Sequence, residues 1–462
     1  MNIPTKLTPF SHSILHPALA SSLERLAQVF SSHAPTLPHS FHSQAVNTFL
    51  AQATLGIWGG SEPEIGHLFG IEPPTAPRQG KPSQGMKQAR VALREFPAAY
   101  ARLRRWSEWV FASEWSQAQL LQVMEEIEPR VAEALNWVHR CAIVTVGSYH
   151  HLGTMLAKKE KDNAKREALR LGLVAGLETP DSRFLHALAV GKPVDELRAT
   201  FGHMPLAREG EIAAPRVGDA AEHRLTNPGM EVWNWTPGRA QKRRGEAEKQ
   251  ALAQAGMLGR SGLRKAVEMA QQALVAHAQA REALAYVLAA ARHWALAAAE
   301  EGAADGRIHH PDEIFMLEIE EIKQMMTGEW HSRAHVETLI TERRAAYDAQ
   351  PDDDAGHGHP LGVAGYDTEG ALFLLQHPEE ADQLDVPPGF MALARGWHPG
   401  WWQVVLKAEG IIDRGGNILT WMASVARSGD LPALTGGASY ATWSQGVRIR
   451  LIPTQNRAEI VE

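Results

Sequence analysis

Between residues 263 and 301 the chain places Leu263, Val267, Ala270, Leu274, Ala278, Leu284, Val287 and Leu288 mostly at steps of three and four, interleaved with Arg, Lys, Glu and Gln. That spacing gathers the apolar side chains on one face of a helix, which needs a partner to cover it. Its length suits one or two long antiparallel members of a bundle. Residues 87–105, 116–140 and 162–177 read the same way, the second with Ser116 as its N-cap, so most of the chain up to about residue 350 is expected to be helical. Between 219 and 249 the pattern lapses. Pro228, Gly229, Pro237 and Gly238 stand there with the run Lys242-Arg243-Arg244, a polar stretch that reads as a solvated loop, with phosphate binding as the functional alternative for a basic run.

Residues 350–358 carry Pro351, three consecutive Asp and the start of a Gly-His-Gly-His stretch. They offer almost nothing to bury and read as a linker. Beyond them short apolar runs (391–394, 410–412, 447–452) alternate with helical stretches (400–408, 419–428), as in a small α/β domain. The expected fold is therefore multidomain, α and α/β: a large, mostly helical domain over 1–349, a flexible linker over 350–358 and a small α/β domain over 359–462.

Several function classes are disfavoured at this level. A formal net charge of −7 leaves no electrostatic footprint for nucleic acid. The single Cys141 excludes an intrachain disulfide and fits a reducing compartment. The longest Ala-rich run is interrupted by Arg292 and His293, and no N-terminal stretch has the layout of a secretory signal, so no membrane partner and a cytoplasmic location are expected. Neither G-x-x-x-x-G-K-(S/T) nor a strand-bound G-x-G-x-x-G occurs, which argues against a self-contained kinase. His331 and His335 stand four apart but lack the Glu of H-E-x-x-H and a third ligand, and His150-His151, His309-His310 and His357-x-His359 lack spaced partners. No metal site is expected.

Residues 411–427 read Ile-Ile-Asp-Arg-Gly-Gly-Asn-Ile-Leu-Thr-Trp-Met-Ala-Ser-Val-Ala-Arg. This stretch resembles the swivelling phosphohistidine domain of the phosphoenolpyruvate-utilising enzymes, a group that includes phosphoenolpyruvate synthase, pyruvate phosphate dikinase and rifampicin phosphotransferase. There it runs roughly G-G-x-x-(S/T)-H-x-A-x-x-A-R, and the His carries the phosphoryl group between two active sites. Thr420, Ala423, Ala426 and Arg427 match in frame, and the position of the His holds Trp421. An indole nitrogen donates a hydrogen bond but has no basic lone pair to attack phosphorus.

The similarity reaches further. Pro388-Gly389-Phe390-Met391-Ala392-Leu393-Ala394-Arg395-Gly396-Trp397-His398-Pro399-Gly400-Trp401 resembles P-G-D-I-L-V-A-x-x-T-D-P-x-W, a buried strand and a loop beside the phosphohistidine. Leu431-Pro432-Ala433-Leu434-Thr435-Gly436 resembles G-I-P-A-V-x-G, residues 443–449 resemble the last strand, and residues 359–365 stand in the place of S-P-G-x-x-x-G. In the middle of the chain Phe201-Gly202-His203 and the stretch from Glu209 to Pro215-Arg216 are similar to F-G-H-R-G and E-x-x-L-x-x-P-R-W of the rifampicin phosphotransferase type. Arg281-Glu282, residues 306–317 and residues 7–15 resemble further segments of the same region. The resemblance is thin from about residue 30 to 180, and the family's ATP-grasp domain has no counterpart in these residues.

What the resemblance implies is a small domain that swings between sites and a substrate-binding helical domain, with His203, Glu209, Arg216, Thr420, Trp421 and Arg427 as the substrate-binding residues. His398 stands where the family has Asp in T-D-P and is the substitute phosphoryl acceptor to consider, against a plain hydrogen-bonding role. His203 and Glu209 form either an acid/base pair or a structural set in which Glu209 pairs with Arg216. Met204 replaces the family's Arg and removes a cation. Trp397, Trp401, Trp402, Trp421 and Trp443 read mainly as packing, or as the lining of an aromatic pocket. Two functions follow. In one the chain is a substrate-binding or regulatory component that holds no cofactor by itself and meets ATP through a separate ATP-grasp protein. In the other it is an independent enzyme with altered chemistry on a small specialised metabolite between its domains.

Overall fold

A computed structural model of the chain describes residues 6–30, 43–75, 79–207, 209–226, 234–329, 332–350, 359–380 and 389–461. Helices α1 (Pro9–Phe30), α2 (Ser43–Trp58), α3 (Glu62–Phe69), α4 (Pro82–Phe111), α5 (Gln117–Ala157), α6 (Asn163–Leu173), α7 (Pro180–Ala189), α8 (Val194–Phe201), α9 (Pro237–Ala304), α10 (Ile319–Thr327) and α11 (Arg333–Ala349) come first. The frame is α5 against α9, with α4 packed on both and α1 on α5. Ser116 caps α5 in a capping box with Gln119, the reciprocal pairing that satisfies two orphan amides at once. Asp162 caps α6, which ends at Leu173, before the turn at Gly176.

The apolar period over 263–301 is one uninterrupted helix, the longer part of α9. Upstream, α9 is broken at Gly256, whose φ of 64° is open to glycine without strain. The stretch from Pro237 onward, expected as a solvated loop, is helical instead. Its buried face is made of alanine: Ala247, Ala251 and Ala255 lie against Leu169 and Leu173 of α6 in a core of their own. The basic run is not solvated as a unit either. Arg243 pairs with Asp430, and Arg244 donates to the carbonyls of Ala175 (3.3 Å) and Gly176 (2.9 Å).

The described helices of this region end at Ala349 and the first strand begins at Leu361. Residues 351–358, expected as the linker, lie outside the described residues, as does His357. A mixed sheet follows, with β1 (Leu361–Ala364), β2 (Thr368–Leu374), β3 (Met391–Ala394), β4 (Gly410–Asp413), β5 (Ala433–Thr435), β6 (Arg448–Ile452) and β7 (Arg457–Ile460) in the order β1-β5-β4-β3-β2-β6-β7. The pairs β2–β3, β3–β4 and β4–β5 are parallel, and β1, β6 and β7 join antiparallel. Parallel pairs need crossovers. Helix α12 (Trp402–Lys407) carries the chain from β3 to β4, and α13 (Trp421–Gly429) from β4 to β5.

Side chains alternate across a strand, and here the alternation divides β3, β4 and β5 between two cores. Met391, Leu393, Ile412 and Leu434 join Ile449 and Leu451 in a core within the sheet module. Ala392, Ala394, Ile411 and Ala433 belong with Val404, Trp421, Met422 and Val425 to the same continuous core as Phe10, Ile14 and Trp294 of the helical region. The two modules thus share one apolar interior.

Candidate functional site at the junction of the modules

Helix α13 brings three of the sequence-derived candidates to the junction. Thr420 is its N-cap, accepting from the Ala423 amide at 3.5 Å and donating to the Asn417 carbonyl at 3.0 Å. Asn417 in turn donates to the Phe69 carbonyl at the end of α3 (3.1 Å), which ties the start of α13 to the helical module. Trp421 is the first residue of the helix and is 1 % exposed. Its Nε1 is buried without a hydrogen-bond partner among the described residues. The helix packs against α9, α7 and β1 and ends at Asp430, whose αL conformation closes it. Further ties cross the junction: Trp235 Nε1 donates to the Val425 carbonyl (2.8 Å), and the Thr179 and Ser424 hydroxyls lie 3.2 Å apart.

The tryptophans do not form one cluster. Trp397 and Trp401 lie with ring centroids 5.0 Å apart, Trp402 donates to the Arg224 carbonyl, and Trp443 packs on Tyr440 at 4.5 Å on the sheet's own core. Trp421 makes no ring contact with any of them among the described residues.

Across the junction lies a buried charge network centred on α9. The Arg281 guanidinium reaches Asp181 of α7 (Nη1–Oδ2 3.2 Å) and holds Glu209 with both Nε (3.1 Å) and Nη2. Burial pushes the Asp181 carboxyl up, against the opposing charge of Arg281. Glu209 is lowered instead, because the charge and hydrogen bonds of Arg281 outweigh burial. Its neighbour Glu282 accepts from the Tyr100 hydroxyl (2.7 Å) and lies 3.6 Å from His203 Nε2. The His203 ring stacks on Tyr286 with centroids 3.5 Å apart, and burial keeps the imidazole below its ordinary value even with Glu282 opposing. Burial therefore favours the neutral form of His203. The Arg281–Asp181–Glu209 cluster and the Glu282–His203 pair stand on consecutive residues of one helix.

Glu209 does not pair with Arg216, the pairing supposed in one of the two alternatives. Arg216 donates from Nη2 to the Glu211 carbonyl (3.0 Å), while its Nε and Nη1 are buried without a partner among the described residues. Glu211 has a separate task. Its carboxylate accepts from the Thr8 amide and hydroxyl (2.9 Å each), from Ser11 (2.5 Å) and from Ala213, and so fixes the N-terminal segment.

Asp181, Glu209, Arg216, Arg281, Glu282 and the small module's Pro399 border one cavity of about 20 Å³, room for a water molecule. The loop from His398 to Gly400 is pressed against the helical module so closely that a Cβ on Gly400 would lie 2.4 Å from the Leu206 carbonyl. His398 lends Nδ1 to the Gly400 amide (3.1 Å) as the cap of the short turn that follows. Nδ1 is thus engaged as an acceptor and, with a neutral ring, the proton sits on Nε2, which leaves no uncommitted lone pair for phosphorus in this geometry. Arg427, 7 % exposed, has no side-chain ion pair or hydrogen bond among the described residues, and burial, then nearby charges including Arg281, lowers it to about 10.

Sequence reasoning quoted Arg281-Glu282 only as part of the resemblance and missed Asp181, Tyr100 and Ser424. The signal for Arg281 and Glu282 was present, since a charged dipeptide inside an alanine-rich apolar face has to find partners. Asp181 follows Thr179-Pro180 at a helix start and gives no hint of an arginine a hundred residues away. No group of three or more His, Cys, Asp or Glu among the described residues is arranged to hold a metal, and His331 lies outside them. No described helix is long and apolar enough to cross a membrane. No protein-family model matches the chain, and no curated protein matches it.

Proposed function

We propose that the chain is a diverged relative of the phosphoenolpyruvate-utilising enzymes that binds a small molecule and works beside a separate ATP-grasp protein, without carrying the phosphoryl group itself. One observation supports this above all: Trp421 opens α13 in the shared core, 1 % exposed, at the position where the resemblance sets the carrier. Phosphoryl transfer through a covalent carrier needs a nucleophile with a free lone pair, and neither the indole nor the His398 ring as placed supplies one. In this reading the small module rests docked on the helical region, held by Asn417, Thr179 with Ser424, and Arg243 with Asp430, and undocks to meet the ATP-grasp partner.

A second reading, an independent enzyme with altered chemistry, is favoured by the ionisable set at the junction. His203, whose neutral form burial favours, beside Glu282, and a carboxylate pair shared by Arg281, could move or hold a proton next to a cavity that admits water.

The Trp421→His variant separates the two. Given ATP and an ATP-grasp domain of the family, the folded variant is expected to gain an acid-labile phosphate on the new imidazole, read by intact mass at alkaline pH. A variant that keeps its circular dichroism spectrum but takes up no phosphate would favour the second reading, because the surrounding site would then have diverged as well.

A further inference from the structure

A second cleft, of about 540 Å³ and bordered by His203, lies wholly in the helical module, between α4, α8, α9 and the 202–219 segment. Its volume is in the range of small-molecule sites. Four arginines line it: Arg104, Arg198, Arg216 and Arg292. Two carboxylates line it as well, and each is already engaged. Glu108 accepts from Arg104 Nε (2.7 Å), and Asp219 from Arg292 Nε (2.8 Å).

Among the described residues Arg216 and Arg198 form no side-chain ion pair with a carboxylate of the cleft wall, although Asp219 there, with Glu211 and Glu209, opposes the lowering of Arg216 by its charge. Arg216 is 2 % exposed, and its Nε and Nη1 have no partner among the described residues. Burial, followed by repulsion from Arg292, lowers it to about 10, so it stays charged at neutral pH. Arg198 donates from Nη2 to the Ala220 carbonyl (2.8 Å), and its buried Nε has no partner. Its nearest acid, Asp195, is 3.9 Å away with a fully exposed side chain, where solvent screens the attraction. A buried guanidinium with donors unpaired is costly unless an opposite charge completes it, and its planar fork matches the two oxygens of a carboxylate or phosphate.

We propose that this cleft binds the oxyanion of a small molecule, a carboxylate or a phosphate, with Arg216 and Arg198 as its guanidinium partners. The site uses residues of the helical module alone, so it stands or falls independently of the phosphocarrier reading.

Equilibrium dialysis of the full chain with inorganic phosphate, and calorimetric titration with malonate, test it at low ionic strength, where screening is weakest. One saturable site per chain is expected for at least one of the two probes, and which probe saturates identifies the group. Arg216→Gln is expected to weaken it by about tenfold or more, the loss that follows a charge-assisted hydrogen-bond pair. Arg198→Gln, at a half-buried position, is expected to weaken it by a smaller factor. Arg102→Gln, whose partner is Glu133 outside the cleft, is expected to leave it unchanged. Absence of saturable binding of both probes, or equal affinity in wild type and Arg198→Gln, would overturn the proposal. If Arg216→Gln does not fold, Arg198→Gln decides.

Discussion

Trp421→Ala is expected to destabilise the protein by about 3–5 kcal/mol, the cost of truncating a large buried aromatic side chain. The side chain is 1 % exposed, on the first residue of a helix packed against α9 and α7, and belongs to the core that spans both modules. Removing it opens a cavity where α13 meets the helical region, with no solvent nearby to fill it. The indole Nε1 has no partner among the described residues, so Trp421→Phe, which keeps a ring and discards only that donor, is expected to be far milder. Urea denaturation measures both through the shift in midpoint. A loss within about 1 kcal/mol for the alanine variant would mean that the residue faces an open space between the modules.

Arg281→Leu is expected to cost a similar amount, about 3–5 kcal/mol at pH 7, for a different reason. The substitution roughly preserves volume but leaves Asp181 and Glu209 buried with no cation between them, and breaking a buried ion pair from one side strands the remaining charge. The sign of the pH dependence follows. Without Arg281, burial is the largest influence left on both carboxyls and raises them above their unfolded values, opposed by Ser424 at Asp181 and by Arg216 at Glu209. A carboxyl raised on folding takes up a proton more readily in the native state, so the variant's deficit should shrink as pH falls from 7 toward 5. Asp181→Asn added to Arg281→Leu should recover part of the loss at pH 7. A deficit that is flat between pH 5 and 7 would show that the carboxylates find other compensation.

What could be read from the sequence was set by how plainly each element carried its own period. The long apolar face of α9, the capped start of α5 at Ser116, and strands β3, β4 and β6 all showed in the spacing of their large apolar residues. The first part of α9 did not. Its buried stripe is alanine among Lys, Arg, Glu and Gln, one Pro-Gly pair precedes it and a second opens it, so it looked like loop. Strands β1, β5 and β7 did not stand out because Gly362, Thr435 and the charged Arg457 and Glu459 break their apolar runs. The shared core was hidden as well, because Ala392 and Ala394 reveal which face of β3 meets the helices only once the sheet is in place.

The junction was legible in its parts and not in its pairings. His203, Glu209, Arg216, Trp421 and Arg427 were singled out, and the fold brings His203 and Glu209 to neighbouring residues of α9. The pairing of Glu209 with Arg216, supposed in one of the two alternatives, is not formed: the chain turns Arg216 toward the Glu211 carbonyl and brings Arg281 in from α9. Asp181 and Ser424 enter only through tertiary contact.

The most direct test of the account is to incubate the wild-type chain with ATP or phosphoenolpyruvate, in the presence of an ATP-grasp domain of the family, and to map acid-labile phosphate by mass spectrometry under alkaline conditions. If Trp421 stands where the proposed relationship sets the carrier, and with His398 Nδ1 committed to the Gly400 amide, no phosphorylated residue is expected between 359 and 462. A stable phosphohistidine at His398 would contradict this and make that loop the carrier.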